Sequence, residues 1–94
     1  MAVDLRSLVD PASTAVLTME LQRGVTGDLS AMPELAAEVR AAGQLDNVAR
    51  LCAAARTAGA RVVHCTAVYR ADGQGSKANS RIQAASIKLN QQRL

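Results

Sequence analysis

The segment that most constrains the fold is an apolar run that ends on a carboxylate. Thr14 to Met19 contains no charge, glycine or proline, and its six residues have the length and composition of a buried strand. Glu20 follows at once, and Gln22 comes two positions later. Because burying an unpaired carboxylate is costly, we expect Glu20 at the strand's end, in a cleft or against a partner. Ligand sites in α/β sheets form at that edge, although an acid that merely ends a strand is an equally simple interpretation.

A second apolar run lies beyond a predicted helix and completes a strand–helix–strand unit. Apolar side chains recur at helical spacing from Leu45 to Ala58, and Gly59 suits a left-handed helix stop. Arg61 to Val68 is rich in β-branched and apolar residues, which predicts the second strand. Two strands connected through a helix by short loops favour a parallel pair with a right-handed crossover. The pattern therefore predicts an α/β fold.

Further helices and loops flank this unit. Pro33 suits the first position of a helix over 33–42, and Gly43 would close it. In the loop before that helix, Gly24 and Gly27 are expected to permit unusual backbone angles. A last helix is predicted to begin near Asn79 or Ser80. The residues expected to share its apolar face are Ile82, Ala85 and Leu89.

Length and composition allow one small domain that needs further support. Residues 1–94 are enough for a single domain with a modest core, and residues 1–13 are interpreted as an N-terminal arm. Alanine is abundant and Tyr69 is the one aromatic residue, so each buried side chain contributes little area. Parallel sheets occur almost only when both faces are covered. We therefore expect either a larger protein or a second chain to complete the sheet.

The charge distribution argues against nucleic acid as a partner. Residues 1–47 hold seven acids and three bases, whereas residues 48–94 hold one acid and eight bases. The bases are scattered, without a Lys/Arg run and without aromatic residues on which nucleobases could stack. A solvated surface that faces an acidic surface, in this chain or another, is the favoured interpretation. No apolar run approaches the 18 residues of a membrane span, so no membrane partner is predicted.

The cysteine and histidine content predicts a cytoplasmic protein without a metal. The N-terminus lacks the long apolar region of a signal peptide, and free thiols at Cys52 and Cys65 suit a reducing compartment. Their spacing fits no zinc motif, and His64 is the one histidine. We interpret both thiols as small core hydrophobes and His64 as a packed, hydrogen-bonded core residue. Lys77 lies in a glycine-containing loop and is expected to be solvated. No cofactor is predicted.

Two short patterns resemble a family of hydrolases. Met19-Glu20-Leu21-Gln22 resembles the strand-ending Asp-x-Gln of the isochorismatase-like hydrolases, which include nicotinamidases and related amidases. Ala58-Gly59-Ala60-Arg61-Val62-Val63 resembles that family's approach to its second strand. The resemblance covers roughly residues 10–90, the N-terminal half of such a protein. It implies a three-layer, Rossmann-like parallel sheet, incomplete in this chain as a βαβ unit with flanking helices.

The resemblance also implies a catalytic role for Glu20. In the family, the carboxylate after the first strand belongs to an Asp–Lys–Cys triad and accepts the proton of the cysteine thiol that attacks the substrate. Glu20 stands at that position with Glu in place of Asp, and Gln22 would orient or pack beside it. The family's lysine and cysteine belong to later strands, beyond Leu94. Tyr69 and Arg70, at the end of the second strand, are candidates for contact with a small-molecule substrate.

Two functions remain open at the level of sequence. The first is a fragment or subunit of an isochorismatase-like hydrolase acting on a small amide or a related C–N or C–O bond. The second is a non-catalytic interaction or oligomerisation module derived from the same fold. Either function predicts a homo-oligomer or a second chain that completes the sheet.

Overall fold

The computed structural model describes residues 2–88, which form a mixed α/β fold. Two short 3-10 turns open the chain and precede a two-stranded sheet with three α-helices. The predicted arm is thus locally ordered, with Asp4 and Asp10 accepting backbone hydrogen bonds at the starts of the two turns. In chain order the elements are the turns Leu5–Val9 and Pro11–Ser13, β1 (Ala15–Met19), α1 (Pro33–Ala41), α2 (Gln44–Ala58), β2 (Arg61–Cys65) and α3 (Arg81–Lys88).

β1 and β2 form a parallel pair, as the strand–helix–strand pattern predicts. The register pairs Ala15 with Arg61 and continues to Met19 opposite Cys65. The prediction that β2 extends to Val68 is wrong, because the strand ends at Cys65. Beyond Cys65 the backbone forms hydrogen bonds with a side chain instead of with β1. Ala67 N–H donates to Gln22 Oε1, and Gln22 Nε2 donates to the Ala67 carbonyl oxygen. A side-chain amide therefore takes the place of further strand pairing.

The helix boundaries follow the local signals of the sequence. Pro33 begins α1 and Gly59 ends α2 in the left-handed conformation with φ 91°. Gly43, also left-handed with φ 64°, lies between α1 and α2 and precedes the first residue of α2. Both glycines allow a sharp change of chain direction. A residue with a Cβ would adopt the same left-handed conformation only at a cost in free energy.

Gly24 and Gly27 do not act as predicted, since neither has a positive φ angle. Gly27 is instead required by a close approach of the backbone. A Cβ placed there would lie 2.7 Å from Arg23 Cα, which is well inside van der Waals contact. The same turn is closed by an exposed ion pair, in which Arg23 donates two hydrogen bonds to the Asp28 carboxylate at 2.6 and 2.8 Å.

The last helix begins where predicted but presents another face. Ser80 Oγ accepts a hydrogen bond from Gln83 N–H at 3.3 Å, as a helix-capping serine does. The buried residue of α3 is Ser86, whereas Ile82 is 78% exposed. Ile82 and Ser86 both line an open cavity rather than a closed core. Leu89, the third residue of the predicted face, lies outside the described residues.

The core is small and lies on one side of the sheet. Among the described residues, the buried apolar side chains are Ala36, Val39 and Cys52. α2 contacts both α1 and β2. A cavity of about 310 Å³ separates α2 from the sheet face that carries Thr18 and His64. Within the described range no helix is long and apolar enough to cross a lipid bilayer.

The opposite face of the sheet is exposed in the structure. Alternation along the paired strands places one set of residues on this open face, namely Ala15, Leu17, Met19, Arg61, Val63 and Cys65. Leu17 is 56%, Met19 63% and Val63 45% exposed. Such exposure is unusual for the face of a parallel sheet.

Candidate functional site

Glu20 has an unusual backbone conformation at the carboxyl end of β1. Its φ angle is 56°, and Glu20 is the one non-glycine residue with a positive φ among residues 2–88. Its N–H donates a 2.8 Å hydrogen bond to the Cys65 carbonyl oxygen and so fixes the turn to the end of β2. The left-handed conformation costs a residue with a Cβ roughly 1–2 kcal/mol. Strain of this kind clusters at functional sites.

The structure brings Glu20 and Tyr69 to one cavity at this edge of the sheet. The cavity has a volume of about 230 Å³, which suits a small ligand. Its wall is largely apolar, and Glu20 and Tyr69 are among the residues that line it. We call it the edge cavity, and it is lined by Glu20, Val25, Met32, Tyr69, Ile82, Gln83 and Ser86.

Gln22 holds the two strand ends together. Its side chain is buried, at 6% exposure, and makes two 2.9 Å hydrogen bonds to the backbone of Ala67, one as donor and one as acceptor. Ala67 lies two residues before Tyr69, so this contact fixes the chain that leads into the edge cavity. Gln22 itself is not among the residues that line the cavity. Its contacts are those of a residue that positions its neighbours.

Arg70 does not share the edge cavity with Glu20. It donates two hydrogen bonds to the Asp72 carboxylate, at 2.6 and 3.0 Å, and the hydrogen bonds from Arg70 hold the pKa of Asp72 below its usual value. Arg70 borders two other cavities with Tyr69 but does not line the edge cavity. The structure thus brings together Glu20, Tyr69 and, through Ala67, Gln22, and leaves Arg70 apart.

The predicted core histidine is hydrogen-bonded but exposed. His64 Nδ1 and Thr18 Oγ1 lie 2.7 Å apart, and the two residues are register partners. Exposure of His64 corrects the expectation of a packed residue: His64 lines the cavity between α2 and the sheet, where packing is open. The sequence signal for this pair was a threonine within the first apolar run and a histidine within the second, which the parallel register places side by side.

Cys52 and Lys77 lie where the sequence suggested, whereas the expectation that Cys65 is a core residue is wrong, because Cys65 lies on the open face of the sheet. Cys52 is buried at 4% exposure on α2, Cys65 is half-buried at the end of β2, and both are free. His64 and Cys65 alternate along β2 and so face opposite sides of the sheet. Lys77 is exposed. In the described part of the chain, no three His, Cys, Asp or Glu residues are grouped so that they could hold a metal ion.

Comparison with known proteins finds no relative of this chain. No family model, no curated protein and no solved structure matches the chain. The features of the chain that point to a function are therefore the geometry around Glu20 and the resemblance of Met19–Gln22 to the hydrolase pattern.

Proposed function

We propose that this chain is the acid-bearing part of an isochorismatase-like hydrolase that acts on a small amide or a related C–N or C–O bond. The observation that carries the proposal is the strained Glu20 at the carboxyl end of β1, which is one of the residues that line the edge cavity. A strand end that merely stops would not need a left-handed glutamate, since a glycine or asparagine takes that conformation more cheaply. The strain is explained if a carboxylate is required there.

The proposed reaction is acyl transfer through a thiol, as the family resemblance implies. The Glu20 carboxylate accepts the proton of a cysteine thiol, and the thiolate sulfur attacks the carbonyl carbon of the amide. The C–N bond breaks, the amine leaves with a proton, and a thioester remains until water hydrolyses it. The cysteine and the assisting lysine would come from the remainder of a longer protein or from a second chain. No metal or cofactor takes part in this scheme.

Gln22 and Tyr69 have supporting roles in the proposal. Gln22 holds the backbone at Ala67 and so keeps Tyr69 at the cavity wall, where its ring can pack against a small substrate. Arg70 would contact substrate only at the outer rim, because it is held by Asp72. The resemblance implies a Rossmann-like sheet, with further strands at the free edges of β1 or β2 and helices on the open face. The uncovered sheet favours a homo-oligomer or a second chain, and the free thiols favour a cytoplasmic protein.

The test is amide hydrolysis by the native assembly with and without the Glu20 carboxylate. Intact-mass measurement of that assembly identifies any second polypeptide, and ammonia release from nicotinamide or another small amide gives the activity. Glu20→Gln should lower kcat by about a hundredfold or more, because the amide cannot accept the thiol proton. Glu20→Asp should retain activity, since aspartate keeps the carboxylate and tolerates the left-handed region.

A matched control separates chemistry from folding. Glu38→Gln makes the same substitution at an exposed position of α1 and should leave the rate unchanged. If Glu20→Gln hydrolyses the amide as fast as Glu38→Gln does, Glu20 is not the base. A stable, monodisperse 9.8 kDa monomer as the native state would refute a two-part enzyme.

The exposed apolar face favours a second candidate, a non-catalytic interaction module built on the same fold. Leu17 is 56%, Met19 63% and Val63 45% exposed, as the apolar residues of a docking surface would be. Absence of amide hydrolysis in every assembly, together with loss of assembly when this face is altered, would favour the module over the hydrolase.

A further inference from the structure

We propose that the substrate is a small amide that also carries a carboxylate, and that this carboxylate binds at Lys77 in a second cavity next to the edge cavity. The inference rests on the proposed function, because it assigns the reacting amide to the edge cavity. The second cavity has a volume of about 520 Å³ and lies at the loop between β2 and α3. We call it the loop cavity and define it by six of its lining residues, namely Arg70, Gln74, Ser76, Lys77, Asn79 and Gln83.

The loop cavity and the edge cavity are neighbours that differ in charge. Tyr69 and Gln83 line both of them, so one small molecule can extend from one cavity into the other. Glu20 is the charged residue that lines the edge cavity, whereas Arg70 and Lys77 are the charged residues that line the loop cavity. A ligand that spans both cavities would therefore place its anionic end in the loop cavity.

The lining of the loop cavity suits an anion. Among the described residues that line it there is no aspartate or glutamate. Side-chain amides at Gln74, Asn79 and Gln83 and the hydroxyl group of Ser76 are hydrogen-bond donors. Hydrogen bonds from such donors, and above all from a cation, are stronger when the acceptor is ionised. The cavity also reaches the first turn of α3, where the helix dipole favours negative charge.

The ion pair in the loop favours a carboxylate over a phosphate. Arg70 is paired with Asp72, which is the one acid of residues 48–94. Lys77 makes no ion pair within residues 2–88. With Arg70 neutralised, Lys77 provides the net positive charge, which a single carboxylate balances. A phosphate group carries about two negative charges at neutral pH and would exceed it.

The first experiment measures binding apart from chemistry. The 94-residue chain is titrated with succinamate, with its neutral diamide succinamide and with inorganic phosphate, and NMR shifts of the backbone amides of residues 74–79 give each dissociation constant. We expect succinamate to bind at least about tenfold more tightly than succinamide, because Lys77 contacts its carboxylate. Phosphate should bind more weakly than succinamate. The monoamides and diamides of malonic and glutaric acid vary the distance between the two groups. Equal binding within all three pairs, or tighter binding of phosphate, would overturn the proposal.

The second experiment assigns the preference to Lys77. Lys77→Met should weaken succinamate binding by about tenfold and leave succinamide binding unchanged, whereas Lys77→Arg should keep the preference. Lys88→Met is the matched control, because it removes the same charge from an exposed position of α3 that lines neither cavity. If Lys77→Met and Lys88→Met weaken succinamate binding equally, the carboxylate does not bind at Lys77.

An additional variant tests the count of charges in the loop. Asp72→Asn should release Arg70 and add a second net positive charge to the loop cavity. Phosphate binding should therefore strengthen more than succinamate binding. A variant that binds phosphate no better than the wild type would refute the argument for a carboxylate.

The last experiment separates this inference from the proposed function. Ammonia release by the native assembly is compared for succinamate and succinamide. Lys77→Met should raise the KM for succinamate by about tenfold with little change in kcat, because the contact holds the substrate equally in the ground and transition states. If both amides are hydrolysed with equal kcat/KM, the substrate class is wrong and the hydrolase stands. If neither is hydrolysed although succinamate binds through Lys77, the hydrolase is wrong and the carboxylate site stands.

Discussion

Replacement of Gln22 by alanine should destabilise the protein substantially, although Gln22 lines no cavity. The side chain is 6% exposed and makes two 2.9 Å hydrogen bonds to the backbone of Ala67. Each such bond contributes about 1 kcal/mol net, and leaving a buried donor or acceptor unpaired costs a further 1–3 kcal/mol. Ala67 is half-buried, so water can replace part of what is lost. We expect Gln22→Ala to lower the free energy of unfolding by about 2–3 kcal/mol.

The assay combines a global and a local measurement. Urea unfolding followed by circular dichroism gives the free energy, and hydrogen exchange of the Ala67 amide reports the lost bond directly. Tyrosine fluorescence adds a specific probe of the edge cavity, because Tyr69 is the one aromatic residue of the chain. Gln44→Ala, at an exposed position at the start of α2, is the control and should change the unfolding free energy by less than about 0.5 kcal/mol.

A second substitution tests the donor half of the contact. Gln22→Glu retains an acceptor for the Ala67 N–H but can donate to the Ala67 carbonyl oxygen only when protonated. Its destabilisation should therefore shrink as the pH falls. If Gln22→Ala costs no more than Gln44→Ala, or if Ala67 exchange is unchanged, the inference that Gln22 holds the two strand ends together is wrong.

Two further predictions concern the turn after β1. Gly27→Ala should destabilise the protein by about 1–3 kcal/mol in urea unfolding, because the new Cβ would lie 2.7 Å from Arg23 Cα; an unchanged midpoint would contradict that close approach. Asp28→Asn should remove the contribution of this ion pair to the pH dependence of the unfolding free energy. Hydrogen bonds from Arg23 lower the pKa of Asp28 in the folded state. The pair therefore stabilises the fold above the usual aspartate pKa, and this stabilisation is lost as the pH falls through the lower folded-state pKa. The pair is exposed, so the difference should be small, largest at low salt and absent at strongly acidic pH; a difference in midpoint that stays constant with pH would refute it.

Local signals predicted the elements that depend on local physics. The helical spacing of apolar residues between Leu45 and Ala58, with Gly59 as a left-handed stop, matches α2. Ser80 caps α3 near the predicted start. Hydrophobic periodicity and capping act over one or two helical turns, so they can be read without knowledge of the tertiary fold.

Features that depend on distant contacts were harder to predict. β2 stops at Cys65 because the backbone of Ala67 bonds to Gln22, a residue 45 positions earlier. The exposed face of α3 and the exposure of His64 likewise depend on what neighbours each surface. No pattern within either segment carries that information, since the partners come from other parts of the chain.

Glu20 shows most clearly the difference between what local sequence determines and what distant contacts determine. The amino-acid sequence by itself determined that a carboxylate follows the first apolar strand and that a glutamine comes two residues later. Only the tertiary structure decided that Glu20 has a left-handed backbone, shares a cavity with Tyr69 and is separated from Arg70. The physical reason is that strand formation follows from a local run of side chains. The position of a side chain at a strand's end depends on hydrogen bonds and packing between segments far apart in sequence.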